Sequence, residues 1–190
     1  MQFPRIPLFA SLAGALLLSS TFVARADSDL SGEMAKAIKR QEGSVFGYVT
    51  RPYSSGTEAA KQLAALCITH RKSVMGLTSA LRAQGYEKGG RIEGRSLRAW
   101  IHTEKPPVFL ETGGGAVQGC YLVLDKPARA FGSIGSALKQ LTGGMTQEIP
   151  DKMLNGSKGE RGWVVQPGYD YMILLSNVDE RSILVMTRAE

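Results

Sequence analysis

Cys67 and Cys120 are the two cysteines of the chain, and they bound its thiol chemistry. A nucleophilic or metal-binding cysteine needs a close partner, either a second thiol in C-x-x-C or histidines at finger-like intervals. Neither pattern occurs, and the two histidines, His70 and His102, stand at no such spacing. In an exported chain an even cysteine count reads as a disulfide. A Cys67–Cys120 bridge would close a long loop, which the chain-entropy model values at roughly 4 kcal/mol.

The stretch Thr112–Pro127, TGGGAVQGCYLVLDKP, raises the next question. Gly113, Gly115 and Gly119 fit a loose G-x-G-x-x-x-G. A phosphate cradle needs a strand entering and a helix leaving, so that helix N–H groups face the anion. Val108–Leu110 can be that strand. The outgoing Cys120–Leu124 prefers extended structure, with no cap, no helical period and no Gly-Lys-Ser/Thr ending. The reading is therefore a hairpin bend in which the glycines supply positive φ. No nucleotide, and no other cofactor, is expected. The loop Thr112–Gln118 is free to touch a partner instead.

Catalytic spacings are equally sparse. There is no G-x-S-x-G; Gly132-Ser133-Ile134-Gly135 is a loose echo, with Ser133 inside a predicted helix. His102 falls on the polar phase of a strand, and His70, beside Arg71 and Lys72, reads as a helix-end histidine, a placement the dipole favours. Asp125, Asp151, Asp170 and Asp179 sit at turn-like positions. No H-E-x-x-H occurs, and no metal site is expected. The candidate binding surface is instead aromatic and basic: Trp163, Tyr169 and Tyr171 around Gln166-Pro167-Gly168, the glycines Gly113, Gly114 and Gly115, and the densest basic group, Arg91, Arg95 and Arg98. The competing reading of the three aromatics is that they cap a sheet core.

The elements that must position these residues follow from periodicity. Residues 1–26 read as a secretory signal peptide: Arg5, the apolar run Leu8–Leu18, and Ala24-Arg25-Ala26 before the cut. That run is too short to span a bilayer core of roughly 30 Å as a helix. Residues 27–56 form an N-terminal amphipathic helix (Leu30, Met34, Ile38) and linker, with a short strand over 45–49. Residues 57–190 form the globular domain. It begins with a helix capped by Thr57 whose face carries Ala60, Leu63, Ala64, Cys67 and Ile68. A bend at residues 70–72 leads to a second helix, capped by Ser73, with Met75, Leu77 and Leu81 apolar and Gly85 as its stop. Residues 87–95 read as a polar connection. Strands are predicted at 96–103 (Leu97, Ala99 and Ile101 buried, Arg98, Trp100 and His102 outward), 108–111 and 120–124. A helix over 128–141 places Ala130, Ile134, Ala137, Leu138 and Leu141 on one side and ends at Gly143-Gly144. Residues 145–161 read as an exposed loop containing the sequon-like turn Asn155-Gly156-Ser157. Strands at 163–165, 171–175 and 183–187 close the chain, the last two joined by a loop over 176–182.

Helices followed by grouped strands predict an α+β single domain, a mainly antiparallel sheet with two to three helices on one face. The formal charge of +6 falls to +4 without Arg5 and Arg25. That excess favours acidic partners such as anionic lipid headgroups, polyanionic wall material or an acidic protein. Basic and aromatic residues do not interleave as a nucleic-acid platform would require, so no nucleic acid is expected. The functional expectation is an exported, periplasmic or secreted, non-enzymatic protein that binds another protein or an envelope component. The alternatives are a small hydrolase whose Ser, His and Asp meet only in the fold, and an inhibitor or immunity protein using residues 87–95 or 145–161.

Overall fold

A computed structural model describes residues 51–91, 97–150, 154, 161–178 and 180–188. The expected signal peptide, amphipathic helix and strand before residue 51, the sequon-like turn at 155–157 and Arg95 lie outside the described residues. Helix α1 (Gly56–Gln62) runs directly into a π-helical segment, Leu63–Ile68, and α2 spans Val74–Ala83. Four strands follow: β1 (Glu87–Arg91), β2 (Leu97–Ile101), β3 (Val108–Gly113) and β4 (Ala116–Leu124). A 3-10 turn, Ala128–Phe131, and helix α3 (Ile134–Leu141) lead to β5 (Thr146–Ile149), β6 (Arg161–Val165), β7 (Tyr171–Val178) and β8 (Arg181–Arg188). The strands make one sheet of eight in the order β1-β2-β3-β4-β8-β7-β6-β5, and the paired strands run antiparallel. Two four-stranded meanders are thus linked through α3 and joined along β4 and β8. The α+β single-domain expectation holds. No helix among the described residues is long and apolar enough to cross a membrane.

The strand pattern explains the long apolar runs. β4 and β8 lie mid-sheet, and Tyr121–Leu124 and Ser182–Thr187 are buried residue after residue because both faces are covered. Cys120, Leu122, Leu124, Ile173, Leu175, Leu184 and Met186 point to the core that holds the buried helical side chains. The opposite phase (Leu97, Ala99, Phe109, Tyr121, Val123, Leu174, Ile183 and Val185) forms a second cluster, and none of its members is helical.

Several boundaries differ from expectation. Ser55, not Thr57, caps α1: its side chain accepts from the Glu58 N–H. The π-helical turn widens the buried face, so Leu66 joins Leu63, Ala64, Cys67 and Ile68 in the core. Residues 87–91 are a strand; their polar, glycine-bearing sequence suits a sheet edge, where one row of backbone groups stays unpaired. Residues 146–149 are likewise an edge strand within the expected loop. Trp100 is buried on the helical side of β2, so that strand is covered on both faces. The predicted helix at 128–141 begins as a 3-10 turn, and its Ala130 and Leu141 are exposed. β7 and β8 extend into the expected loop, with Val178 paired to Arg181.

Candidate functional site

The two cysteines meet. Cys67, on the π-helical segment, and Cys120, in β4, form a disulfide with Cα atoms 6.2 Å apart, and both are fully buried. The bond ties the helical layer to the middle of the sheet.

The glycine stretch is a hairpin. Gly113 pairs with Ala116, and Gly114 and Gly115 between them have φ of 57° and 79°. Positive φ at both central positions is what a type I′ two-residue turn demands. The turn is docked: the Val74 N–H, first in α2, donates to Gly115 O at 3.2 Å, and the Val117 N–H donates to Arg71 O at 3.2 Å. The glycines lead into β4 rather than a helix, and at the nearby start of α2 the Val74 N–H is bonded to a glycine carbonyl while Ser73 Oγ accepts from the Gly76 N–H.

The aromatic loop arrives at the same place. Tyr171 is buried, and its hydroxyl donates to Arg71 O at 2.8 Å. The Arg71 carbonyl thus accepts from both the glycine hairpin and the start of β7. Burial raises the Tyr171 pKa, with Arg188 and Arg71 pulling it back and Asp170 adding to the rise, so the phenol stays a donor. Lys72 Nζ lies 3.6 Å from an Asp170 carboxylate oxygen, an exposed pair that tethers the 166–170 loop to the 70–73 turn. Tyr169 has φ of 54°, is 57% exposed, and accepts from Gln166 Nε2.

Strand register puts these parts at one end of the sheet. Gly119 is level with Thr187, Tyr171 with Arg188, and Val165 with both Tyr171 and Thr146. The same end receives the last residue of α3, Leu141, and Met145, whose carbonyl accepts from the Gln166 N–H at 2.7 Å. Among the described residues the exposed large apolar side chains are Met75, Leu141, Met145 and Tyr169, and this end holds all four. Lys72, Lys139 and Arg188 are exposed around them and Arg71 is half-buried.

The other predicted surface residues do not join it. Trp163 is buried in the core beneath the Arg161 guanidinium, 5.2 Å from its ring, and that guanidinium is held by Glu148 and Gly132 O. Arg98 donates to Gly89 O on the neighbouring strand, and Arg91 lies opposite it at the sheet edge. β3, β4 and β8 stand between them and β7. Periodicity could have located Met75: with Leu77 and Leu81 inward, a helical step of about 100° per residue carries position 75 to the opposite side. Arg71, Lys72 and Arg188 carried no such signal.

The histidines lie apart. His102 Nδ1 accepts from the N–H groups of Glu104 and Lys105, and its ring stands edge-on to Tyr86. Around Tyr86, Gln62 donates to both Gln84 and the Tyr86 hydroxyl, which donates to Pro106 O. Lys105 Nζ donates to Gln84 O, beyond the last turn of α2. His70 sits against the first turn of α2, its Nδ1 beside Gly76, rather than only at the end of the helix before it. Among the described residues, no hydrogen bond links either histidine to a serine hydroxyl or a carboxylate. No protein-family model matches this chain, and no curated protein or solved structure shows significant similarity to it.

Proposed function

We propose that the chain is an exported, non-enzymatic binding protein whose working surface is the sheet end built from the glycine turn, the 70–73 turn, the 166–170 loop and the end of α3. The observation that carries this is the gathering of the exposed Met75, Leu141, Met145 and Tyr169 on that end, among basic side chains. Exposed apolar side chains scattered singly over a surface need no explanation; what supports the reading is that these four share one sheet end with exposed basic groups. The scaffold suits the role, because the Arg71 carbonyl, accepting from both the Val117 N–H and the Tyr171 hydroxyl, holds separate chain segments in fixed relation. The Cys67–Cys120 bond supports export, since such bonds persist in oxidising compartments.

The test is mild cross-linking of the tagged protein in its native envelope, with the captured material identified by mass spectrometry. The double variant Met75→Ser, Tyr169→Ser should lose the recurrent capture, and Arg91→Ser, at the far edge of the sheet, should keep it. Capture that survives the double variant but not Arg91→Ser would move the surface elsewhere. Absence of any capture above background would overturn the binding reading.

A further inference from the structure

We infer that this end seats on a bilayer surface bearing anionic lipids; the inference rests on the binding reading above and names its partner. Three features favour a membrane over a protein. First, the apolar side chains come from separate tips: the first turn of α2, the last residue of α3, the segment before β5, and the β6–β7 loop. From β4 to β5 the sheet end spans four strand spacings of roughly 4.8 Å, about 19 Å in all. Protein interfaces concentrate their energy in a packed central cluster, which tips this far apart do not form, whereas apolar side chains can enter a headgroup layer one by one. Second, Tyr169 presents an apolar ring and a polar tip, the chemistry that settles at the membrane–water boundary. Third, Lys72, Lys139 and Arg188 are exposed around the tips, with Asp170 the acidic group described beside Lys72, and basic groups beside apolar tips match anionic headgroups over acyl chains.

The experiment is co-sedimentation of the exported, disulfide-closed protein with vesicles of phosphatidylglycerol and phosphatidylcholine, against vesicles of phosphatidylcholine alone. Binding should require the anionic lipid and weaken as salt rises. Lys72→Gln and Arg188→Gln should each weaken it about five-fold, and together about twenty-five-fold. A Tyr169→Trp variant supplies a second readout. The native Trp100 and Trp163 are buried, so a blue shift of emission on adding anionic vesicles would report residue 169 entering the interface. Each variant is used only if its thermal midpoint and closed disulfide match the parent.

Anionic-vesicle binding with these charge effects and the blue shift supports the inference. Vesicle binding unaffected by Lys72→Gln and Arg188→Gln, or without a shift at residue 169, overturns it, because the membrane would then meet another surface. Failure to bind anionic vesicles also overturns it. If a protein is then still cross-linked through Met75 and Tyr169, the binding reading survives alone; if nothing is captured, both fall.

Discussion

Removing the Cys67–Cys120 bond should cost the fold about 4 kcal/mol. The two cysteines are separated by 53 positions, and between them lie α2, β1, β2, β3 and the glycine turn. Cross-linking a loop of that length removes roughly 14 cal/mol/K from the denatured chain in the entropy model, or about 4 kcal/mol at 25 °C. Against typical stabilities of about 5–15 kcal/mol, that is a large share of the whole. The perturbation is Cys67→Ala with Cys120→Ala, since alanine leaves no polar group at two fully buried positions. Unfolding entropy of about 2.1 cal/mol/K per residue, over roughly 140 residues, makes the expected fall in thermal midpoint about 14 °C. Urea unfolding of the parent with and without reductant should reproduce the free-energy loss. A double variant within about 1 kcal/mol of the parent would refute the argument that the closed loop constrains the unfolded chain. Two equivalents of alkylating label taken up by the unfolded, unreduced protein would refute the bond itself.

Two further outcomes test the interior and the hairpin. The Tyr53 hydroxyl is buried beside the Tyr86 hydroxyl with no hydrogen bond of good geometry, and burial, then that neighbouring phenol, pushes its pKa well above the tyrosine range; burial raises Tyr86 as well. Both phenols stay protonated in the folded protein where those of the unfolded chain have ionised, so stability should fall as pH climbs past about 10. Tyr53→Phe should leave stability at neutral pH unchanged or raise it by about 1 kcal/mol, and should make the alkaline loss shallower in urea titrations at increasing pH. A Tyr53→Phe protein destabilised at neutral pH by more than that would show that the hydroxyl has a partner. In the glycine turn a Cβ would meet open space at both Gly114 and Gly115, so only backbone conformation is tested there. Gly115→Ala should cost about 1–2 kcal/mol, and Gly114→Asn far less, because asparagine tolerates positive φ. Equal costs for the two, measured by chemical unfolding, would argue against the I′ geometry.

Much of the fold was legible because period and punctuation carried it. Ser73 caps α2 and Gly85, at φ of 86°, follows its end, as their types foretold. The alternation around Leu97 and Ala99 and the continuous runs at Tyr121–Leu124 and Ile183–Met186 are strand patterns that survive any reasonable assignment of edges. The polar segments misled for a physical reason. Glu87–Arg91 and Thr146–Ile149 are the two ends of the sheet order, and an edge strand with solvent beside it has no need of apolar alternation. Such a strand is recruited by the hydrogen-bonding row of its neighbour, which local composition does not record. The same holds for Trp100: whether a strand is covered on one side or both depends on what packs above it.

The surface was harder to read than the core because it is made by topology. Positions 75, 141, 145 and 169 each look ordinary in sequence, since single exposed apolar residues are common. They share an end only because β5 to β8 run as a meander that returns to β4. That path brings the start of β7 beside the hairpin tip and the end of α3 beside the start of β5. The sequence did flag two pieces of this end, the glycines and the tyrosines around Gln166-Pro167-Gly168. It flagged the glycines for positive φ and the tyrosines as rigid aromatics beside a turn, able to form a binding surface or to cap the core. Their meeting at the Arg71 carbonyl depends on a third segment, the turn after the π-helical stretch, where the disulfide at Cys67 holds the helix to β4. The bond that reads as a stability device therefore also sets where the candidate surface forms. Opening it should loosen the relation between the 70–73 turn and the hairpin before it unfolds the sheet.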